Sequence, residues 1–105
     1  MKPKSFSHEG SIQTISRKFI IKNKLGLHAR PAAIFVENAN RFESDIFVKK
    51  GDKRINGKSI MGLMMLAAGY VSKITIEIEG RDAKEAMMQF EKIFANNFNE
   101  SMNST

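Results

Sequence analysis

The most regular alternation along the chain runs over residues 73–79, where Ile74, Ile76 and Ile78 are separated by Thr75 and Glu77 and followed by Glu79. A period of two predicts a strand with one buried and one wet face. Residues 17–22 repeat the pattern more weakly, with Phe19 and Ile21 on one side. Residues 45–49 and 53–56 predict a pair of short strands about a Gly51-Asp52 turn, with Ile46, Val48 and Ile55 facing the core. Elsewhere the spacing changes to three and four. Ala32, Phe35, Val36, Ala39 and Phe42 make one stripe of a helix over 29–41. Ala86, Met87, Phe90, Ile93 and Phe94 do the same over 83–97, with Asp82 placed to cap that helix. Residues 60–66 carry Ile60, Met61, Leu63, Met64, Met65 and Leu66, too many apolar residues for one face. Leu63 and Leu66 are assigned to the core, Ile60 and Met61 to the surface, and Ser59 to the helix N-cap.

The resulting order is strand, helix, two strands, helix, strand, helix. Such an order predicts an α+β domain of two layers, an antiparallel sheet with helices over one face. With 105 residues the chain is long enough for one such domain and too short for two. The expected divisions are a flexible N-terminal extension over 1–15, a folded domain over 16–98 and a fraying tail over 99–105. His8 falls in the extension and reads as a solvated residue.

Hydrophobic residues make up 42% and charged residues 27% of the chain, an ordinary balance for a globular protein. There is no cysteine, which excludes disulfides and thiolate metal sites and suits a reducing cytoplasm. Two histidines without cysteine give no zinc spacing, so neither metal nor cofactor is expected. No apolar run approaches the roughly 18 residues of a membrane span, and the N-terminus lacks the apolar core of a signal peptide. Glycines 57 and 62 stand apart from any phosphate-cradling loop, and no serine is flanked as a hydrolase nucleophile would be. The formal charge of +6 admits a small basic nucleic-acid-binding domain. However, the cations are scattered in pairs such as Lys49-Lys50 and Lys53-Arg54, without interleaved aromatic rings. An acidic protein surface is the preferred partner, with no nucleic acid and no membrane.

The chemistry gathers at Leu25-Gly26-Leu27-His28-Ala29-Arg30-Pro31-Ala32-Ala33. Gly26 supplies a bend, and Pro31 is tolerated in the first turn of the helix that follows. His28 therefore stands at the helix N-terminus, where amides without intrahelical acceptors and the positive end of the dipole form an anion site. A neutral imidazole carries a nucleophilic nitrogen. A phosphoryl group on that nitrogen would lie over the Ala29 and Arg30 amides, with the Arg30 guanidinium as a fixed cation.

This stretch resembles the active-site motif of the HPr family, the histidine-containing phosphocarriers of the bacterial phosphoenolpyruvate-dependent phosphotransferase system. A second block, Asn56-Gly57-Lys58-Ser59-Ile60-Met61-Gly62-Leu63-Met64, resembles the family's regulatory-serine segment at the expected distance downstream. The resemblance covers about residues 16–98 and implies a four-stranded open-faced β-sandwich. It implies that His28 accepts a phosphoryl group, through Nδ1, from phosphorylated enzyme I and passes it to an EIIA-type acceptor protein. Arg30 stabilises the phosphate, while Leu27, Ile60 and Met61 contribute to partner docking. Ser59 matches the serine modified by the HPr kinase/phosphorylase of some bacteria. The implied protein is a cytoplasmic monomer and a stoichiometric carrier, more a substrate than an enzyme. Many members carry Ser or Asn three residues before the histidine; here that position is Leu25, as in proteobacterial HPr proteins and the nitrogen-related branch. A regulatory paralogue of that branch, controlling partners by its phosphorylation state, is the alternative.

Overall fold

The computed structural model describes residues 11–66, 68, 69 and 72–99; His8 and the distal parts of the expected extension and tail lie outside them. Among the described residues the chain forms β1 (Gln13–Ile20), α1 (Ala29–Ala39), β2 (Asp45–Lys50), β3 (Lys53–Asn56), α2 (Ile60–Met65), β4 (Lys73–Gly80) and α3 (Ala83–Ala95), closed by a 3₁₀ turn at Asn97–Asn99. The strands make one sheet in the order β1-β4-β2-β3, and every pairing is antiparallel. The α+β open-faced sandwich expected from the element order is therefore the observed architecture.

β4 lies inside the sheet, and its alternation is the sharpest in the chain. Ile74, Ile76 and Ile78 are buried, and in register with them stand Phe19, Arg17 and Ile15 of β1 on one side. On the other side Ile76 faces Val48 and Ile78 faces Ile46 of β2. α1 and α3 cover this face with Phe35, Phe90 and Phe94. The Phe35 and Phe90 rings stack at 4.4 Å, and Phe19 stacks on Phe94 at 4.5 Å. These contacts tie an edge strand and both long helices into one core, and such ring pairs add to the burial of the rings themselves.

The opposite face is wet. There Lys49 and Arg54 reach the Glu77 carboxylate at 3.2 and 3.3 Å, and the Arg54 guanidinium lies 3.7 Å from the centre of the Phe47 ring. The hydrogen bond from Lys49 leads in holding the Glu77 carboxyl below its ordinary value; desolvation opposes it, and Arg54 adds to the lowering.

Three boundaries differ from the expectation. β1 begins at Gln13, so residues 13–15 of the expected extension belong to the sheet. Their side chains alternate too weakly to signal a strand, because β1 is an edge strand, and the order comes from backbone pairing with β4 out to Gly80. Asp82 occupies the N-cap position of α3 without a side-chain cap. Its carboxylate instead accepts from the Glu43 amide at 2.9 Å, the Ser44 amide at 3.0 Å and the Ser44 hydroxyl. Lastly, α3 ends at Ala95, and Phe98 turns back into the core at 1% exposure.

Candidate functional site

The loop between β1 and α1 delivers His28. Ile21 and Leu27 are buried at its two ends, and each donates its amide to the segment before β4: Ile21 to the Ser72 carbonyl at 2.8 Å and Leu27 to the Ala68 carbonyl at 2.9 Å. Between them the Gly26 amide closes a turn onto the Asn23 carbonyl at 2.9 Å. Gly26 adopts φ +70°, and a Cβ there would stand 2.3 Å from the Ala68 carbonyl oxygen, so both conformation and space require glycine. Leu25 and Leu27 consequently part: Leu25 is 57% exposed and Leu27 only 5%. Leu27, expected on the docking surface, is thus a core residue, because the turn at Gly26 and the bond to Ala68 direct it inward.

His28 is the N-cap of α1, with extended backbone at φ −79° and ψ −172°, and its side chain makes no capping bond. The first intrahelical bond runs from the Ala32 amide to the His28 carbonyl at 3.0 Å. The Ala29 and Arg30 amides precede that bond, and Pro31 has no N–H, so this first turn presents two donors at the positive end of an 11-residue helix. Ala29 and Arg30 are exposed, and His28 is half-buried. The N-cap position puts His28 and the Ala29 and Arg30 amides at one helix terminus, the end of a helix that favours an anion.

A shallow hollow beside His28 is lined by Leu25, Leu27, Met64, Ala68 and Gly69. Met64 comes from α2, on which Ile60, Met61, Met64 and Met65 are exposed while Leu63 is buried, as is Leu66 just after it. The apolar excess in this helix predicts such a surface. Only the packing shows that Leu25 and Met64 line the hollow beside His28, since helical spacing alone does not say which side α1 covers.

Ser59 caps α2, its Oγ accepting from the Gly62 amide at 2.9 Å. The approach to it is tightly built. The Gly57 amide donates to the Ile46 carbonyl at 2.7 Å, and a Cβ on Gly57 would lie 2.7 Å from the Ile46 Cγ2. Lys58 donates through Nζ to the Phe42 carbonyl at 2.8 Å, pinning the start of α2 to the segment just after α1. That lysine contact joins residues 16 apart and has no signature in the sequence. Among the described residues no group of three or more His, Cys, Asp or Glu side chains is arranged to hold a metal ion, and no helix is long and apolar enough to cross a membrane.

The chain matches the family described as "PTS HPr component phosphorylation site" over residues 15–96. It is 55% identical over 73 residues to the HPr-like protein Crh of Halalkalibacterium halodurans, covering 70% of this chain and 87% of that one. Against the phosphocarrier protein HPr of Neisseria meningitidis it is 55% identical over 67 residues, covering 64% and 75%. Its structure resembles that of an HPr from Thermoanaerobacter tengcongensis with a TM-score of 0.80 and 41% identity, over 83% of this chain and 98% of the other.

Proposed function

The chain belongs to the HPr family of phosphocarrier proteins, and on that premise we propose that His28 is the residue that carries the phosphoryl group. The observation that carries this reading is the placement of His28 at the N-cap of α1, next to the Ala29 and Arg30 amides of the first turn. In the forward step an imidazole nitrogen of His28 attacks the phosphorus of phosphorylated enzyme I. The N–P bond on the donor breaks as the new one forms, and the donor imidazole leaves with its electron pair. The dianionic product is stabilised by the helix terminus and by Arg30. The group then passes to a histidine of an EIIA-type acceptor, which restores His28. The protein is consumed and regenerated in each round, which makes it a carrier rather than an enzyme.

Leu25, Met64, Ile60 and Met61 form the apolar rim against which enzyme I and the acceptor dock. Methionine suits this work, since its flexible thioether adapts to more than one partner. Ser59 is the regulatory phosphorylation site in this reading. A phosphate there keeps an acceptor oxygen for the Gly62 amide while placing about two negative charges among the docking residues. The structural likeness to Crh, the Bacillus subtilis catabolite repression HPr, favours a second reading, in which this chain's phosphorylation state regulates partner proteins.

Intact mass after incubation with phosphoenolpyruvate and enzyme I tests the assignment. One acid-labile phosphate is expected, absent from a His28→Ala variant that keeps its fold. Modification by the nitrogen-branch enzyme I alone would select the regulatory pathway. Absence of an adduct with either enzyme would overturn the phosphocarrier reading of His28.

A further inference from the structure

Asn23 lies in the loop that presents His28, yet its side chain is only 2% exposed. Its Nδ2 donates to the Asn97 carbonyl at 3.1 Å, across 74 residues of sequence. A buried amide held this way is costly to leave unsatisfied, so the bond fixes where the loop runs. The backbone carbonyl of the same residue accepts from Gly26 at 2.9 Å, which closes the turn leading to His28. One residue therefore both shapes the turn and anchors it.

The anchor itself is built under strain. Asn97 and Phe98 both adopt φ +56°, in the left-handed region. Asparagine tolerates that conformation, whereas a bulky aromatic residue rarely adopts it. Phe98 is kept there by its ring, which is 1% exposed and meets the Phe94 ring edge-on at 4.8 Å. Phe94 in turn contacts Phe35 of α1 edge-on at 6.5 Å. Core packing of Phe98 holds the kink, and the kink aims the Asn97 carbonyl at Asn23. Strain retained at such a place accompanies a geometric demand elsewhere.

We propose that Asn23, Asn97 and Phe98 form a positioning latch that sets the attack geometry of His28 from the C-terminal end of the chain. None of the three touches the reacting atoms. They act through the turn at residues 23–26: the Ile21 and Leu27 amides hold the ends of the loop, and the Asn23 side chain holds its middle. In-line phosphoryl transfer depends steeply on alignment, and small displacements from remote changes cost large factors in rate. The proposal rests on His28 as the phosphoryl acceptor.

The test uses the full chain with three substitutions. Asn23→Asp removes the donor with little change of volume. Asn97→Val keeps the carbonyl but places a β-branched residue where φ is positive, and Asn97→Gly keeps both the carbonyl and the conformation. Phosphorylation by enzyme I is followed by rapid quench, and the His28 ring resonances are recorded by NMR on the unphosphorylated proteins. Asn23→Asp and Asn97→Val are expected to lower the maximal rate by about tenfold. The KM for enzyme I should stay unchanged and the His28 ring signals should shift, while Asn97→Gly matches the parent in all three. Parental rates and ring signals in folded Asn23→Asp or Asn97→Val protein would overturn the latch. So would equal losses in Asn97→Val and Asn97→Gly. If the parent protein itself takes no phosphate, the assignment of His28 fails instead, and the ring signals still judge the latch.

Discussion

In the role proposed for His28, the nucleophile and the stabiliser of its product come from one device, the start of α1. The cap position leaves the imidazole outside the helix, and Pro31, which has no N–H, leaves the Ala29 and Arg30 amides as the donors of the first turn. Arg30 adds the only full positive charge within the motif itself. Arg30→Ala is expected to lower the rate of phosphoryl transfer by about 100-fold, the lower end of the range seen when one oxyanion donor is removed. Its melting temperature should stay within a degree or two of the parent's, since Arg30 is exposed. Rapid-quench kinetics with calorimetry on the same samples checks both parts. The place of His28 and Arg30 at the start of α1 is legible in the sequence because their separation of two, next to a proline, needs only local backbone geometry. Leu27 was not legible as core, because Leu25 and Leu27 differ only in what Gly26 turns them toward.

At the scale of elements, the clearest reassignment is Asp82. Instead of capping α3, it holds the loop before β2 against the start of that helix through Glu43 and Ser44. Burial alone would raise its carboxyl, but the Ser44 hydroxyl and the backbone amides outweigh that effect and leave it below the ordinary value of 3.8. A carboxyl lowered in the folded state stabilises fully above its unfolded value, and the contribution fades as pH falls through the folded value. Asp82→Asn is therefore expected to lose about 1–2 kcal/mol at pH 7, the worth of charge-assisted bonds discounted for partial exposure. The deficit should shrink below about pH 4, where the parent loses the same charge. Urea denaturation of both proteins at pH 7 and pH 3 measures it, and an equal deficit at both would mean that the charge is not what matters.

For the whole molecule, the helices and the wet sheet face separate two jobs. The helical layer closes a core around the Phe35, Phe90, Phe94 and Phe98 rings, and the same layer carries His28 and the exposed face of α2 at its edge. The chain as a whole carries a formal net charge of +6. Association with an acidic partner should accordingly be steered, and raising NaCl from about 10 to 150 mM should slow the second-order association with enzyme I by about tenfold. The rate of transfer within the complex should hardly change. Stopped-flow fluorescence separates the two steps, and an association rate indifferent to salt would remove charge from the account of docking.

The sequence alone determined the element order, the α+β class, the buried set Ile46, Val48, Ile74, Ile76, Ile78, Phe35 and Phe90, and the identity of the motif around His28. Each of these follows from periodicity or from groups only a few residues apart, where backbone geometry dictates who is near whom. Tertiary structure decided the start of β1 at Gln13, the inward turn of Leu27, the work of Asp82 on Ser44, and the bond from Asn23 to Asn97. Those contacts join residues distant in the chain through polar groups or edge pairing, which leave no period to read. A buried asparagine looks like a turn asparagine until the carbonyl it binds, 74 residues away, is brought beside it.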